Sequence, residues 1–151
     1  MKIKNYDGRS VVADMIDGCS TVAGRPSAVR AVREICRYFG GQCVYIPAHK
    51  TTGRTAEELH GLLRDAAGDP GADLMFEKIM ALFGGYQVYI PMEKYAFRGT
   101  IAREIYERYD GNNETVGDLC REYGISFNTV YRLYYEGRGE KSQMQFDFTE
   151  K

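Results

Sequence analysis

Two polar side chains near the C-terminus have the chemistry needed to read DNA bases. Asn128 and Arg132 are four residues apart, so on a helix they lie on one face, one turn from each other. An asparagine amide can form two hydrogen bonds with adenine, and an arginine guanidinium can form two with guanine. A helix that exposes this pair would therefore be suited to the major groove.

The segment from Thr115 to Tyr135 predicts a helix-turn-helix that would position the pair. The first helix opens at Thr115, and Gly124 provides the positive φ that a sharp turn between crossing helices needs. Ser126 is expected to cap the second helix, which runs from Phe127 to about Glu136. The residues predicted to face inward are Val116, Leu119, Cys120, Tyr123, Val130 and Leu133, and those predicted to face outward are Phe127, Asn128, Tyr131, Arg132 and Tyr135.

A helical hairpin with a polar surface and no ligand is the competing interpretation of this segment. The exposed aromatic residues Phe127, Tyr131 and Tyr135 favour a ligand, because such side chains are otherwise costly on a surface. Two of the tyrosines could instead pack on the preceding helix. Arg138 and Lys141 follow in the sequence and are suited to phosphate contacts.

The part of the chain before this segment contains an internal repeat. Residues Ile35–Pro47 reappear as Ile79–Pro91, with identical Ile, Phe, Gly-Gly and Val-Tyr-Ile-Pro positions. Each copy predicts a helix, a Gly-Gly break with Gly40 left-handed in the first copy, a short strand, a proline that ends the strand, and a further helix.

The predicted helix starts follow from capping residues and turn signals. Residues 10–17 read as a short amphipathic helix and residues 18–26 as a loop, while residues 68–71 read as a turn between the copies. The side chains predicted to open the four repeat helices are Ser27, Thr55, Asp73 and Thr100.

Both short strands alternate apolar and polar residues, so each is expected to bury one face. The predicted buried residues are Val44 and Ile46 in the first strand and Val88 and Ile90 in the second. A strand this short needs a partner, and its own repeat, paired antiparallel, is the natural one. The opposite faces carry Cys43, Tyr45, Gln87 and Tyr89.

The predicted fold class is mainly α, in three parts. Residues 1–110 form a pseudo-symmetric dimerisation-type domain with a two-stranded antiparallel ribbon, built from repeats at about residues 28–66 and 72–110. Residues 111–141 form the helix-turn-helix, and residues 142–151 form a tail.

Composition excludes several other classes. A hydrophobic content of 44% with a net charge of −1 is ordinary for a soluble protein, and no apolar run approaches a membrane span. We therefore expect a cytoplasmic protein with no membrane partner. The four cysteines form no CxxC pair, and the two histidines, His49 and His60, fall in no catalytic or metal-binding motif. We expect no catalytic residues, no metal and no cofactor.

The string Phe83–Pro91, followed by a helix and the Thr115–Tyr135 unit, resembles the Mor transcription activator family of phage middle- and late-gene activators. The resemblance covers about residues 72–141. It implies a DNA-binding regulator from a phage or prophage that binds double-stranded DNA as a dimer and activates through RNA polymerase. It also implies that Gln87 and Tyr89 contact the DNA backbone or minor groove, and that the groove contacts are made by Ser126, Asn128, Thr129, Tyr131 and Arg132.

The duplicated helix-strand unit departs from that family, in which it occurs once per chain. The first copy could replace the partner subunit, giving an intramolecular pseudo-dimer with one DNA-reading unit. Alternatively, two chains associate as a homodimer, each strand pairing with its equivalent. A second function is also open, in which the chain is a protein-interaction module that modulates a related regulator without binding DNA.

Overall fold

The structure is a computed structural model that describes residues 4–5, 10–50 and 52–149, with side chains for residues 10–50 and 52–139. The chain divides into two compact units, Met1–Ala96 and Phe97–Lys151. Helices account for most of the described residues, and one small sheet lies in the first unit. The predicted mainly helical class with an antiparallel strand pair is therefore confirmed. The three-part division of the chain stays a prediction.

The first unit contains four of the described helices. Helix α1 covers Val11–Ala23, α2 covers Arg25–Phe39, α3 covers Arg54–Phe83, and α4 is the short segment Glu93–Ala96. Helix α3 consists of two helices, because Gly68 in its middle has φ 76° and ψ 175°, outside the helical range.

Glycines with positive φ, and not side-chain caps, separate α1 from α2 and the two halves of α3. Gly24 has φ 82° and ψ 154° between α1 and α2, and Gly68 takes nearly the same conformation inside α3. Pro26 and Pro70 each follow in the first helical turn, where a missing N–H breaks no helical hydrogen bond. The two helix pairs therefore change direction in the same way.

Several predicted boundaries are wrong for this reason. The predicted loop over residues 18–26 is helical except at Gly24, and the predicted turn over residues 68–71 is helical except at Gly68. Ser27 and Asp73 lie inside helices and cap neither of them. Helix α3 begins at Arg54 after Gly53, and no side chain caps it, so the capping box predicted at Thr55 is not formed.

The sheet has three strands in the order β1-β3-β2. Strand β2, Gln42–Tyr45, pairs antiparallel with β3, Tyr86–Ile90, and Val44 lies opposite Val88. The pairing thus occurs within one chain. Strand β1, Lys4–Asn5, pairs parallel with β3 on its other edge and was not predicted.

Both Gly-Gly pairs form the same turn before their strands. Gly40 has φ −54° and ψ 135°, Gly84 has φ −57° and ψ 130°, and Gly41 and Gly85 have φ 83° and 84°. These angles are those of a type II turn, whose second central residue needs a positive φ. The prediction of a left-handed Gly40 is therefore wrong by one residue, since Gly41 takes that conformation.

The buried face of the ribbon joins the helices in one core. Val88 is completely buried, and Val44, Ile46 and Ile90 are nearly so, as the alternation predicts. Their hydrophobic burial is what holds so short a ribbon in place, because its few backbone hydrogen bonds would be marginal alone. The large helical side chains of this core are Met15, Val32, Ile35, Leu63, Met75, Ile79 and Phe83.

The second unit consists of α5, Arg98–Arg108, α6, Asn113–Tyr123, and α7, Phe127–Thr149. Helix α5 begins before the predicted Thr100. Helix α6 begins before the predicted Thr115, because the side chain of Asn112 accepts a hydrogen bond from the Glu114 N–H at 3.0 Å and caps the helix there. Helix α7 continues well past the predicted end at Glu136. None of the helices described is long and apolar enough to cross a membrane.

Candidate nucleic-acid interface

The turn between α6 and α7 is set by Gly124 and Ser126. Gly124 is left-handed, with φ 64° and ψ 42°, and its N–H donates to the Cys120 carbonyl. The Ile125 N–H donates to the same carbonyl at 3.1 Å. Ser126 Oγ accepts from the Thr129 N–H at 3.2 Å and so caps α7. The positive φ of Gly124 and the cap at Ser126 are both as the sequence predicts.

Apolar residues of both helices are buried as expected. Val116, Leu119 and Val130 are fully buried, and Leu133 is nearly so. Cys120 is only half-buried. Because Val130 and Leu133 fix which side of α7 faces inward, they also fix which side faces solvent.

The solvent side of α7 carries the predicted pair. Asn128, Arg132 and Arg138 are all exposed. Within the part of the chain that the structure describes, none of the three side chains forms a hydrogen bond or an ion pair. Phe127 and Tyr135 on the same helix are 51% and 64% exposed. The result is an exposed strip of hydrogen-bond donors, an amide and aromatic rings.

The other predicted groove residues lie in different surroundings. Tyr131 is half-buried, and its ring meets Tyr109 edge-on at a centroid distance of 6.0 Å. Thr129 is half-buried too, and its hydroxyl is 2.9 Å from that of Ser126. Ser126 and Thr129 therefore hold the start of α7, and Tyr131 packs against Tyr109, the residue that follows α5.

A cluster of tyrosines between α5 and α7 was not foreseen. The rings of Tyr106 and Tyr134 stack at 5.4 Å, and Tyr109 meets Tyr134 edge-on at 5.0 Å. Arg98 and Glu136 add an ion pair with two hydrogen bonds, at 3.1 and 2.5 Å. The sequence signal for this contact was the row of tyrosines on both helices.

A second polar cluster joins α5 to α6. The Tyr123 hydroxyl donates to Glu104 Oε1 at 3.1 Å and accepts from Arg108 Nη1 at 3.3 Å. Arg108 also pairs with Glu122 at 2.7 Å. Burial, followed by the nearby Glu104 carboxylate, raises the pKa of Tyr123 above its usual value, so the phenol stays protonated and can donate.

The predicted strand contacts belong to the first unit. Tyr89 is 55% exposed and lies opposite Cys43, which is also exposed, while Gln87 is half-buried opposite Tyr45. This polar and aromatic face is the side of the ribbon that does not enter the core. It leaves Tyr89 accessible to a ligand, and Gln87 partly so.

One cleft of the first unit is lined by residues of α3 and of the segment before it. His60 Nε2 lies 2.7 Å from Asp73 Oδ1, and Arg64 lies 3.2 Å from the other ring nitrogen of His60. The hydrogen bond with His60 holds the pKa of Asp73 below its usual value. His60, Asp73 and Arg64 thus form a hydrogen-bonded group within the cleft. No cluster of three or more potential metal ligands occurs among the residues that the structure describes.

Comparison with known proteins places the chain in a family of regulators. The family model of the Mor transcription activator family matches residues 49–146, which include β3 and all of α5 and α6. No curated protein and no solved structure gives a significant match. The matched region covers well over half of the chain, and the chain belongs to the Mor transcription activator family.

Proposed function

We propose that this protein is a sequence-specific transcription activator that binds double-stranded DNA through a helix-turn-helix formed by α6 and α7. The observation that carries the proposal is the pair Asn128 and Arg132, exposed one turn apart on α7 and without a partner among the described residues. Membership of an activator family supports the same function. In this proposal α7 enters the major groove.

Each exposed residue then has a role that follows from its chemistry. Asn128 and Arg132 contact base edges, and Arg138 contacts a phosphate. Ser126 and Thr129, at the N-terminus of α7, contact the DNA backbone or a base edge near the point where the helix enters the groove. Tyr131 and Tyr135 flank this surface, and Gln87 and Tyr89 contact the DNA through the ribbon.

The test is to select binding sites from a randomised duplex library with the full chain and to measure affinity by mobility shift. Asn128→Ala with Arg132→Ala should remove most of the sequence preference, since each bidentate base contact discriminates by about 1–3 kcal/mol. Arg25→Ala is the matched control, because it removes one exposed arginine of α2 that takes no part in the proposed surface. Unchanged base preference in the double variant would refute the assignment.

The competing function is a protein-interaction module that contacts a related regulator or RNA polymerase and not DNA. The two functions differ in their response to salt. DNA binding that neutralises phosphates weakens steeply as salt rises, in proportion to the number of contacts. A chain that binds no duplex at low salt, and yet binds a partner protein, would support the module.

A further inference from the structure

We propose that residues 10–49 act as a built-in partner for residues 54–93, and that the contacts between these two repeats allow only unlike repeats to pair. One chain then forms a complete ribbon and carries one α6–α7 unit. The part of this proposal that concerns DNA rests on the function proposed above; the pairing itself does not.

The ribbon has the geometry of two equivalent partners. Val44 and Val88 occupy the same position of the repeat and lie directly opposite each other. The Gly41 N–H donates to the Ile90 carbonyl at 2.7 Å, and the Gly85 N–H donates to the Ile46 carbonyl at 2.8 Å. Each repeat therefore donates one backbone hydrogen bond to the other repeat and accepts an equivalent one of nearly the same length.

Close backbone contacts at the turns are also reciprocal. A Cβ on Gly40 would lie 2.7 Å from the Cα of Met92, and a Cβ on Gly84 would lie 3.1 Å from the Cα of Ala48. Ala48 and Met92 are equivalent positions of the repeat. The backbones of the two repeats therefore pair about an approximate two-fold axis, and any asymmetry must lie in the side chains.

The strongest asymmetry between the two repeats is at Glu93, which is the one buried charged residue among the residues described. Its carboxylate comes from the second repeat and receives hydrogen bonds from Arg33 at 2.6 Å and Arg37 at 2.7 Å, both in α2 of the first repeat. In the other repeat, the positions equivalent to Glu93, Arg33 and Arg37 carry His49, Glu77 and Ala81, respectively. The ion-pair cluster therefore exists once, on one side of the axis.

This cluster would be lost if like repeats paired. Two second repeats from two chains would place Glu93 against Glu77 and Ala81, leaving a buried carboxylate with no cation and another carboxylate nearby. Two first repeats would place His49 against Arg33 and Arg37, so the ion pairs with Glu93 would be lost, although Glu34 would still pair with Arg37. A buried charge without its partner is strongly destabilising, so the unlike pairing is favoured over the pairing of two second repeats. It is favoured over the pairing of two first repeats by the ion pairs with Glu93, which only the unlike pairing makes.

The packing of α1 on α3 also favours the pairing of unlike repeats over that of two second repeats. A Cβ on Gly18 would lie 2.5 Å from Leu82 Cδ1, so a larger side chain at this position would require Leu82 to change its conformation. The second repeat has Leu62 at the position equivalent to Gly18. Two second repeats would therefore bring Leu62 of one chain onto Leu82 of the other, where the first repeat offers a glycine.

The first test is the mass of the full-length chain in solution, measured by sedimentation equilibrium over a wide concentration range. The expected result is the mass of one chain at every concentration. A two-chain mass, whether from like repeats or from an exchange of unlike repeats between chains, would overturn the built-in partner. This measurement involves no DNA and so is independent of the proposed function.

The second test exchanges the charges in the full chain. Glu93→Arg alone, and Arg33→Glu with Arg37→Glu, should each lower the melting temperature by about 5–10 °C, because each places like charges against one another at the buried position of Glu93. Combining all three substitutions should restore most of the loss. Arg25→Glu is the control on the exposed part of α2 and should change the melting temperature little.

The combined variant keeps the test decisive even if a single change prevents folding. If Glu93→Arg leaves the melting temperature unchanged, or if the combined variant is no better than the worse of its parents, the charge-based pairing is wrong. For the DNA arm, titration of the selected duplex should give one chain bound per recognition sequence. If two chains bind each recognition sequence while the free protein has the mass of one chain, the claim that one chain binds DNA with a single α6–α7 unit is wrong. The pairing of the two repeats within one chain would still stand.

Discussion

Gly137 on α7 lies directly against Ala102 on α5, so close that a Cβ on Gly137 would be 2.9 Å from the Ala102 carbonyl carbon and 2.9 Å from Tyr106 Cβ. The glycine allows the two helix backbones to approach, and the tyrosine rings of Tyr106 and Tyr134 stack close to this contact. The orientation of α7, and with it the direction of Asn128 and Arg132, depends on this small residue.

Gly137→Ala should therefore destabilise the second unit by roughly 2 kcal/mol, because the methyl group meets backbone and cannot be accommodated by a side-chain rotation. Urea unfolding followed by tyrosine fluorescence measures the change. Gly139→Ala is the matched control: a Cβ at this position, two residues further along α7, would meet none of the described side chains or backbone within 4 Å, and the better helix former should stabilise the helix by up to about 1 kcal/mol. Equal effects at both positions would contradict the close approach.

Arg138→Ala should weaken DNA binding about equally for all duplex sequences, because a phosphate contact carries no base information. We expect the slope of log affinity against log salt to fall by about one. Arg132→Ala should instead reduce discrimination between sequences. A sequence-dependent effect of Arg138→Ala in the mobility-shift assay would argue that it contacts a base.

The cysteines should differ sharply in reactivity. Burial raises the pKa of the Cys19 thiol to about 11 and that of Cys36 to about 12, with the nearby Glu93 carboxylate adding to the rise at Cys36. At pH 8 these thiols are protonated as well as buried, and only the thiolate reacts. A disulfide reagent should label the exposed Cys43 first, the half-buried Cys120 more slowly, and the other two only on unfolding.

Substitution of Cys43 checks that assignment. Cys43→Ser should remove the fast phase of labelling and leave the total for the unfolded chain smaller by one thiol. Rapid labelling of Cys19 or Cys36 in the native protein would mean that the first unit opens readily at these positions.

The stability that Asp110 gives to the second unit should be lost in acid. Its carboxylate accepts from the Asn112 N–H at 2.9 Å, and this bond, with one from Thr115, lowers the pKa of Asp110 in the folded state. A lowered folded pKa gives stability that is present above the usual carboxyl pKa and is lost as pH falls through the folded value. Asp110→Ala should therefore narrow the difference in unfolding free energy between pH 7 and pH 3.

Glu107→Ala provides the comparison for that measurement, because Glu107 is an exposed acid on α5 for which the structure gives no hydrogen bond among the described residues. Its substitution should leave the pH dependence of unfolding nearly unchanged. If both variants reduced the difference in unfolding free energy between pH 7 and pH 3 by a similar amount, general surface charge, and not the Asp110 hydrogen bonds, would account for the loss of stability in acid.

Local patterns in the sequence were enough to predict some features of the structure. The alternation in the strands places Val88 inside and Tyr89 outside, because side chains of a strand must point to opposite faces. Gly124 could be assigned a positive φ, since a sharp turn between crossing helices favours a residue without a Cβ. These features depend only on neighbouring residues.

Other features depend on contacts between distant residues and could not be predicted. Ser27 and Asp73 have the side chains of helix caps, yet the helices begin earlier because Gly24 and Gly68 already reverse the chain. Tyr131 has the periodicity of an outward residue, but its ring contacts Tyr109, which follows the last residue of α5. The Glu93 cluster joins residues far apart in sequence, so no local pattern indicates it.

The β2–β3 ladder joins two segments of the same polypeptide, so its formation is a first-order event. The segment between the two strands, which contains α3, keeps them in one chain, so the local concentration of one strand near the other is set by that segment and not by the concentration of the protein. The fraction of chains with a complete sheet is then independent of how many copies are made. If one chain binds DNA as proposed above, a gene that it activates would respond in proportion to the amount of protein, without the threshold that dilution imposes on subunits that must first associate.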